Sequence, residues 1–196
     1  MYHLQLTANP QGWRAFMLRK KDPAFNPFRQ KVWERDQFAC QYCGFQAKTG
    51  QEIINLDHNY KQNHLSNLVT ACIFCTQCGF LESLGINSYG GGTLVYLPEC
   101  TQAQLNGLCH TLFKAIVSQT GQQDTAQQYY RSLKLRSEIV EEQLGHGMSE
   151  PAIFGQLLVE TNTKPADNTL MAGLRLLPAL AAFKDQVARW FAVNHS

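Results

Sequence analysis

Two cysteine pairs with the same internal spacing, Cys40-x-x-Cys43 and Cys72-x-x-Cys75, stand twenty-eight residues apart in this chain. A Cys-x-x-Cys pair sets both sulfurs on one side of a tight turn, and two such turns can surround a Zn²⁺ ion as a tetrahedron. Any fold that uses them must bring residue 40 beside residue 75 and treat the segment between as a loop closed by the metal. Cys75-x-x-Cys78 has the same spacing, so Cys78 is a rival ligand. Cys100 lies outside the pattern. Cys109 falls on the apolar face of a helical stretch, where a thiol behaves as a small hydrophobe.

Thiols kept free for a metal, with no secretory leader, are what a cytoplasmic protein shows. No apolar run reaches the length that spans a bilayer, so membrane association is expected only indirectly, through partners. The chain has 196 residues, 44% of them hydrophobic and 16% charged, with a formal net charge of +2. That length is enough for one sizeable core. The charged share lies below the usual quarter or so, which hints at surface covered by partners. Four thiolates on one divalent ion add about two negative charges and bring the total near zero, so no strong electrostatic pull on nucleic acid is expected.

Around the cysteines the pattern is mixed. His3–Thr7 alternates like a short edge strand, and Asn9-Pro10 opens a helix that ends at Lys20-Lys21-Asp22-Pro23. Its basic residues Arg14, Arg19, Lys20 and Lys21 read as a solvated face. Asn26-Pro27 starts a second helix, Gln51–Leu56 reads as a strand, and Leu65–Ala71 leads into the second knuckle. Gly90-Gly91-Gly92 lacks the Lys-Ser or Lys-Thr of a phosphate loop and reads as a flexible turn before a strand at Thr93–Leu97. From Thr101 a helix carries Leu105, Leu108, Cys109, Leu112, Phe113, Ile116 and Val117 on one stripe, with His110 beside it as an ordinary surface or cap histidine. A helix over Thr125–Leu144 uses Tyr129, Leu133, Val140 and Leu144, another starts at Pro151, and Asn162–Asn168 has a linker's composition. Pro178 precedes a last helix with Leu180, Phe183, Val187, Trp190 and Phe191, apolar enough to need a partner surface.

The run Val32-Trp33-Glu34-Arg35-Asp36-Gln37-Phe38-Ala39-Cys40-Gln41-Tyr42-Cys43-Gly44 resembles the opening of zinc-stapled HNH endonucleases. Asp57-His58, Asn67-Leu68 and Cys72-x-x-Cys75 continue that pattern in order, over about residues 28–80. The resemblance implies an α+β fold: an HNH-like ββα-metal unit stapled by zinc, with a predominantly helical C-terminal extension. The boundaries follow as 1–98 for the amino-terminal helices and zinc unit and 99–196 for the helical region packed on it. In that family the aspartate holds a catalytic metal, the histidine activates water and the asparagine braces the loop, roles that map onto Asp57, His58 and Asn67. A further His or Asn after the second knuckle completes the family's metal site. Here Thr76, Gln77, Cys78, Gly79 and Phe80 follow instead, which leaves Mg²⁺ with one carboxylate and water. The expectation is a protein without enzymatic activity, with Asp57, His58 and Asn67 as remnants and zinc on Cys40, Cys43, Cys72 and Cys75. The alternatives are an HNH-type DNA endonuclease and a zinc module that binds nucleic acid without cutting it.

A wider resemblance is carried by Cys40–Ala47, Asn55–Tyr60, Gly90–Glu99 and Glu150–Leu157, which are similar to cytoplasmic components of the Dot/Icm type IVB secretion coupling complex. It implies an adaptor, peripheral to the inner membrane, whose partners are the C-terminal extension of the coupling ATPase and other subunits of that complex. No nucleic acid is expected among the partners. The apolar tail ending in Trp190 and Phe191 is the surface expected to receive the ATPase.

Overall fold

Asn9 has no helical backbone of its own, and its side chain accepts the Gly12 N–H, which leaves Pro10 free to occupy the first turn of α1 (Pro10–Lys21). Asp22 stops α1 and caps the turn Pro23–Phe25, which runs into α2 (Asn26–Arg35). In this computed structural model, which describes residues 1–118, 121–163, 165 and 168–191, the order continues with β1 (Gln51–Asn55), β2 (Leu68–Cys72), α3 (Ile73–Thr76) and β3 (Gly92–Tyr96). Then come α4 (Gln102–Val117), α5 (Gln123–Leu135), α6 (Ser137–Leu144), α7 (Pro151–Thr161), α8 (Thr169–Ala172), β4 (Leu174–Pro178) and α9 (Leu180–Phe191). The chain is therefore α+β, with two separate two-stranded sheets.

β1 and β2 pair antiparallel from Gln51↔Cys72 to Asn55↔Leu68. Their two faces serve different clusters, as the two-residue period of a strand requires. Ile53 and Leu68 pack with Phe25 and Val32, while Ile54, Val69 and Ala71 join the main core with Trp13, Phe16, Phe80 and Phe113. The outer edge of β2 is closed rather than open, because the Thr70 N–H donates to the Asp36 carboxylate and the Thr70 carbonyl accepts the Gln41 N–H.

β3 and β4 pair antiparallel from Gly92↔Pro178 to Tyr96↔Leu174 and again divide two clusters. Val95 and Leu177 face the main core, and Leu94, Leu174 and Leu176 face a second core with Leu81, Val140, Phe154 and Leu158. The free edge of β3 is capped by carbonyls from the turns on either side of α6: the N–H of Leu94 donates to Ser149 and that of Tyr96 to Arg136. Gly155 lets α7 lie directly on residues 81–82, since a Cβ there would stand 2.3 Å from the Glu82 backbone nitrogen.

Four expectations change. His3–Thr7 is not a strand; it crosses the second knuckle as a strap, with the Thr7 N–H donating to Cys78 and the Thr7 carbonyl accepting from Leu81, and no ladder beside it. The helix expected over Thr125–Leu144 is two, broken at Arg136, whose carbonyl is held by β3 and whose guanidinium pairs with Glu99. Tyr129 faces solvent there, and its neighbour Tyr130 packs on Phe113 and donates to the Pro178 carbonyl. Arg19 is not solvated: buried beneath α1, it donates to the Asn55 and Asn63 side-chain carbonyls and to the Ile53 carbonyl, over the rings of Phe25 and Tyr60. Burial lowers its pKa to about 10. Arg14, Lys20 and Lys21 are exposed as expected. Of the stretch read as a linker, Lys164, Ala166 and Asp167 lie outside the described residues.

The fourth change bears on partners. α9 buries Phe183 and Val187 in the main core, and Trp190 lies on Phe45 while its indole N–H donates to the Thr49 carbonyl at 2.7 Å. The apolar tail expected to wait for another protein has found its surface on the cysteine lobe of its own chain.

Candidate metal centre

The first knuckle is a small hairpin. Cys40 receives the Gly44 N–H at its carbonyl and sends its own N–H to Phe45, with Ala39 and Gln46 bridged beyond. Gly44 sits at φ +77°, a conformation that costs a residue with a Cβ about 1 kcal/mol or more. The Gln41 N–H ties this hairpin to Thr70 on β2. The second knuckle straddles the end of β2 and the first turn of α3, and the Thr76 hydroxyl donates to the Cys72 carbonyl. Strand and hairpin together bring the four sulfurs of Cys40, Cys43, Cys72 and Cys75 within 4.8 Å of one another.

Among the described residues this is the single group of three or more His, Cys, Asp or Glu side chains that could hold a metal ion. The Cys43 and Cys72 sulfurs are 3.6 Å apart. Four ligands at the usual zinc–sulfur length of about 2.3 Å would stand about 3.8 Å apart, so the cluster has the dimensions of a closed tetrahedral thiolate site. Cys40, Cys72 and Cys75 are buried and Cys43 is half-buried. Burial drives the Cys72 and Cys75 thiols well above their ordinary range. Burial works upward on Cys40 too, but hydrogen bonds from Cys43, Cys72 and Cys75 outweigh it and hold that sulfur low. Without a cation, one thiolate shared among its neighbours is what such a pocket tolerates; a divalent ion is what would let all four ionise.

Cys78 is not part of the cluster. Its thiol donates to the Phe74 carbonyl at 3.2 Å, and burial pushes its pKa up to about 12. Cys109 is a core thiol, and Cys100 is half-buried with its carbonyl accepting the Arg175 Nε–H.

A row of polar side chains on α4 lies against the sulfur cluster, and reading the sequence missed it. Gln102, Asn106 and His110 recur every four residues beside the apolar stripe, and all are buried. Gln102 spans the β4 backbone, accepting the Leu176 N–H and donating to the Leu176 carbonyl. It also donates to the Asn106 side-chain oxygen at 2.9 Å, which turns the Asn106 amide NH₂ toward Cys75, 3.2 Å away. His110 lies flat between Phe45 and Phe74, with centroids 3.6 Å and 4.3 Å away, and its Nε2 is 3.3 Å from the Cys72 sulfur. Its Nδ1 faces no partner, which makes Nε2–H the sensible tautomer, and burial holds the ring neutral with a pKa near 3. The expected surface histidine is thus a buried neighbour of the clustered cysteine sulfurs. The available signal was three polar residues at i, i+4 and i+8 along an otherwise apolar helix.

Asp57, His58 and Asn67 occupy the loop between β1 and β2. Asp57 accepts the Asn67 amide at 2.8 Å and the Asn59 N–H at 2.9 Å, while the Asn67 oxygen accepts the Asp57 N–H. The pair braces the loop. His58 stands at φ +58°, its carbonyl holding the Asn9 amide, and partial burial pulls its imidazole below the ordinary range against the Asp57 charge. His58 and Thr76 line one cleft of about 300 Å³ with Tyr42, Leu56 and Tyr60, and residues 2–5 form its other wall. Thr76 is buried in that wall, where it offers a hydroxyl already donated to Cys72.

No family model matches the sequence. Over 191 residues the chain is 53% identical to the type 4 apparatus protein DotN of Legionella pneumophila subsp. pneumophila, strain Philadelphia 1, an alignment covering 96% of this chain and 89% of that protein.

Proposed function

The chain belongs to the DotN family of type 4 apparatus proteins, and from that premise we propose that it is a non-catalytic, zinc-holding adaptor subunit of a type IVB secretion coupling complex. The four-cysteine cluster is the observation that carries the zinc reading: an all-thiolate set enclosed by two knuckles leaves no open position for water or substrate, which is the character of a structural site. The order of β1, β2 and α3 around the knuckles supports an HNH-like ββα unit within residues 1–98, on which the helical region 99–196 packs. Asp57 engaged with Asn67, and Thr76 standing where that fold needs an imidazole, support the loss of catalysis.

For partners we take the C-terminal extension of the coupling ATPase, together with other subunits of the complex, on the cytoplasmic side of the inner membrane. No helix among the described residues is long and apolar enough to cross a membrane, so attachment runs through those partners. With α9 committed to its own core, the reading moves the ATPase site to the open, mostly apolar depression of about 440 Å³ along α7, lined by Met148, Ala152, Ile153 and Leu157 together with Gln156 and Glu160. Ile153 is 48% exposed there.

Calorimetry of the purified protein against the ATPase extension tests this. Binding that changes little with salt and is lost in Ile153→Asp is the expected result. No heat at about tens of micromolar protein would overturn the adaptor reading, because interfaces of this kind reach micromolar affinity or better. Mg²⁺-dependent DNA cleavage that disappears in His58→Ala would overturn the non-catalytic part.

A further inference from the structure

Four thiolates around one divalent cation carry about two negative charges into a site that water hardly reaches. Such charge must be met by hydrogen-bond donors, and donors that meet it also fix the ligands' orientation. The knuckles come from residues 40–43 and 72–75, yet two of the nearest donors come from a helix some thirty residues further on. The Asn106 Nδ2–H group lies 3.2 Å from Cys75 and the His110 Nε2 lies 3.3 Å from Cys72. Both donors are themselves locked, Asn106 by Gln102 and through it by the β4 backbone, His110 by the stack between Phe45 and Phe74.

We infer that Asn106 and His110 are positioning residues of the metal centre, donating N–H···S hydrogen bonds to the Cys75 and Cys72 thiolates and so making the seating of α4 depend on metal loading. The inference rests on the zinc reading and extends it: the metal organises the carboxy-terminal lobe as well as its own loop. Packing alone explains this arrangement less well. A buried asparagine at a helix–knuckle contact is a poor space filler, and a buried imidazole with one nitrogen unpartnered is costly unless the other nitrogen makes a strong bond. A hydrogen bond to an anionic sulfur is the strong kind.

The direct test is magnetic resonance on the full chain labelled with ¹⁵N and loaded with ¹¹³Cd²⁺ in place of zinc. Scalar coupling from the cadmium nucleus to the Asn106 amide protons and the His110 Nε2 proton, across the sulfur, is the expected signature; a purely structural contact produces none. Metal transfer to a chelator gives the second readout. His110→Phe keeps the aromatic stack and removes the donor, and Asn106→Leu removes the other. Each should release metal about tenfold faster or more, the usual consequence of deleting such a supporting bond. Metal-loaded wild type without either coupling overturns the inference, as does wild-type release from both variants with unchanged circular dichroism. A chain that takes up neither Zn²⁺ nor Cd²⁺ overturns the zinc reading itself, and this inference with it.

Discussion

The two sheets of this protein are the same size and both bury apolar side chains on each face, but they differ in what is added to that burial. β1 and β2 are joined by residues 56–67, and polar groups add to the burial of that sheet: Gln51 donates to Phe38 and Phe45, Asp36 closes one edge, Arg19 reaches in from α1, and four sulfurs gather at its end. β3 and β4 meet across residues 97–173, a far longer closure, and leucines and valine on both faces hold them together. The first adds polar and thiol contacts to its burial. The second depends on burial, which repays the closure entropy only once the helices are in place.

Breaking the metal centre should show the larger effect. Cys72→Ser removes a proposed ligand that is fully buried and that terminates β2. Structural zinc sites contribute on the order of 10 kcal/mol to the fold around them, so most of the metal and much of the protection of residues 38–80 should be lost. Zinc content per chain and hydrogen exchange check this. Full metal content with unchanged thermal stability in the variant would remove Cys72 from the ligand set.

Phe154→Ala probes the other sheet. Phe154 is fully buried in the second core, against β3, β4 and the Leu81 turn. A cavity of that size costs about 3–5 kcal/mol, read from denaturant unfolding. Because Cys40, Cys72 and Cys75 are buried in the other core, zinc content should stay unchanged. Metal loss in Phe154→Ala would mean that the two regions are not separable as described.

The same contrast explains what the sequence discloses. Cys-x-x-Cys spacing, the Asn-Pro starts of α1 and α2, and the onset of α4 just after Thr101 are local instructions, and each is found where its pattern puts it. Arg19 and His110 are misread, and the break at Arg136 is missed, because the surroundings come from far along the chain: Asn55 and Asn63 for Arg19, β3 for Arg136, Phe45 and Cys72 for His110. A charged or polar residue at a helical position says nothing by itself about which strand will later cover it. The tail misleads for the same reason, since its apolar stripe is equally suited to a partner and to the lobe of its own chain that Trp190 reaches.

The smallest expected effect sits where the helical region grips β3. Glu141 on α6 accepts the Gly147 N–H at 2.6 Å and the Ser149 N–H at 2.8 Å, which shapes the turn whose Ser149 carbonyl receives the Leu94 N–H. Hydrogen bonds from Ser149 and Gly147 lower the Glu141 pKa from its ordinary 4.5 to about 2. A depressed carboxylate stabilises the fold above the unfolded value and loses that contribution as pH falls through the folded one. The gap in stability between wild type and Glu141→Gln should therefore be full at pH 6, shrink below about 4.5 and close near 2. The nearby His146, 3.3 Å away and fully exposed, adds a pairing that salt screens, whereas the bonds to backbone N–H groups persist. Thermal melts of the two proteins across that range, at low and at high salt, separate the two contributions. A gap that vanishes with salt at pH 6 would assign the effect to His146 and take Glu141 out of the grip on β3.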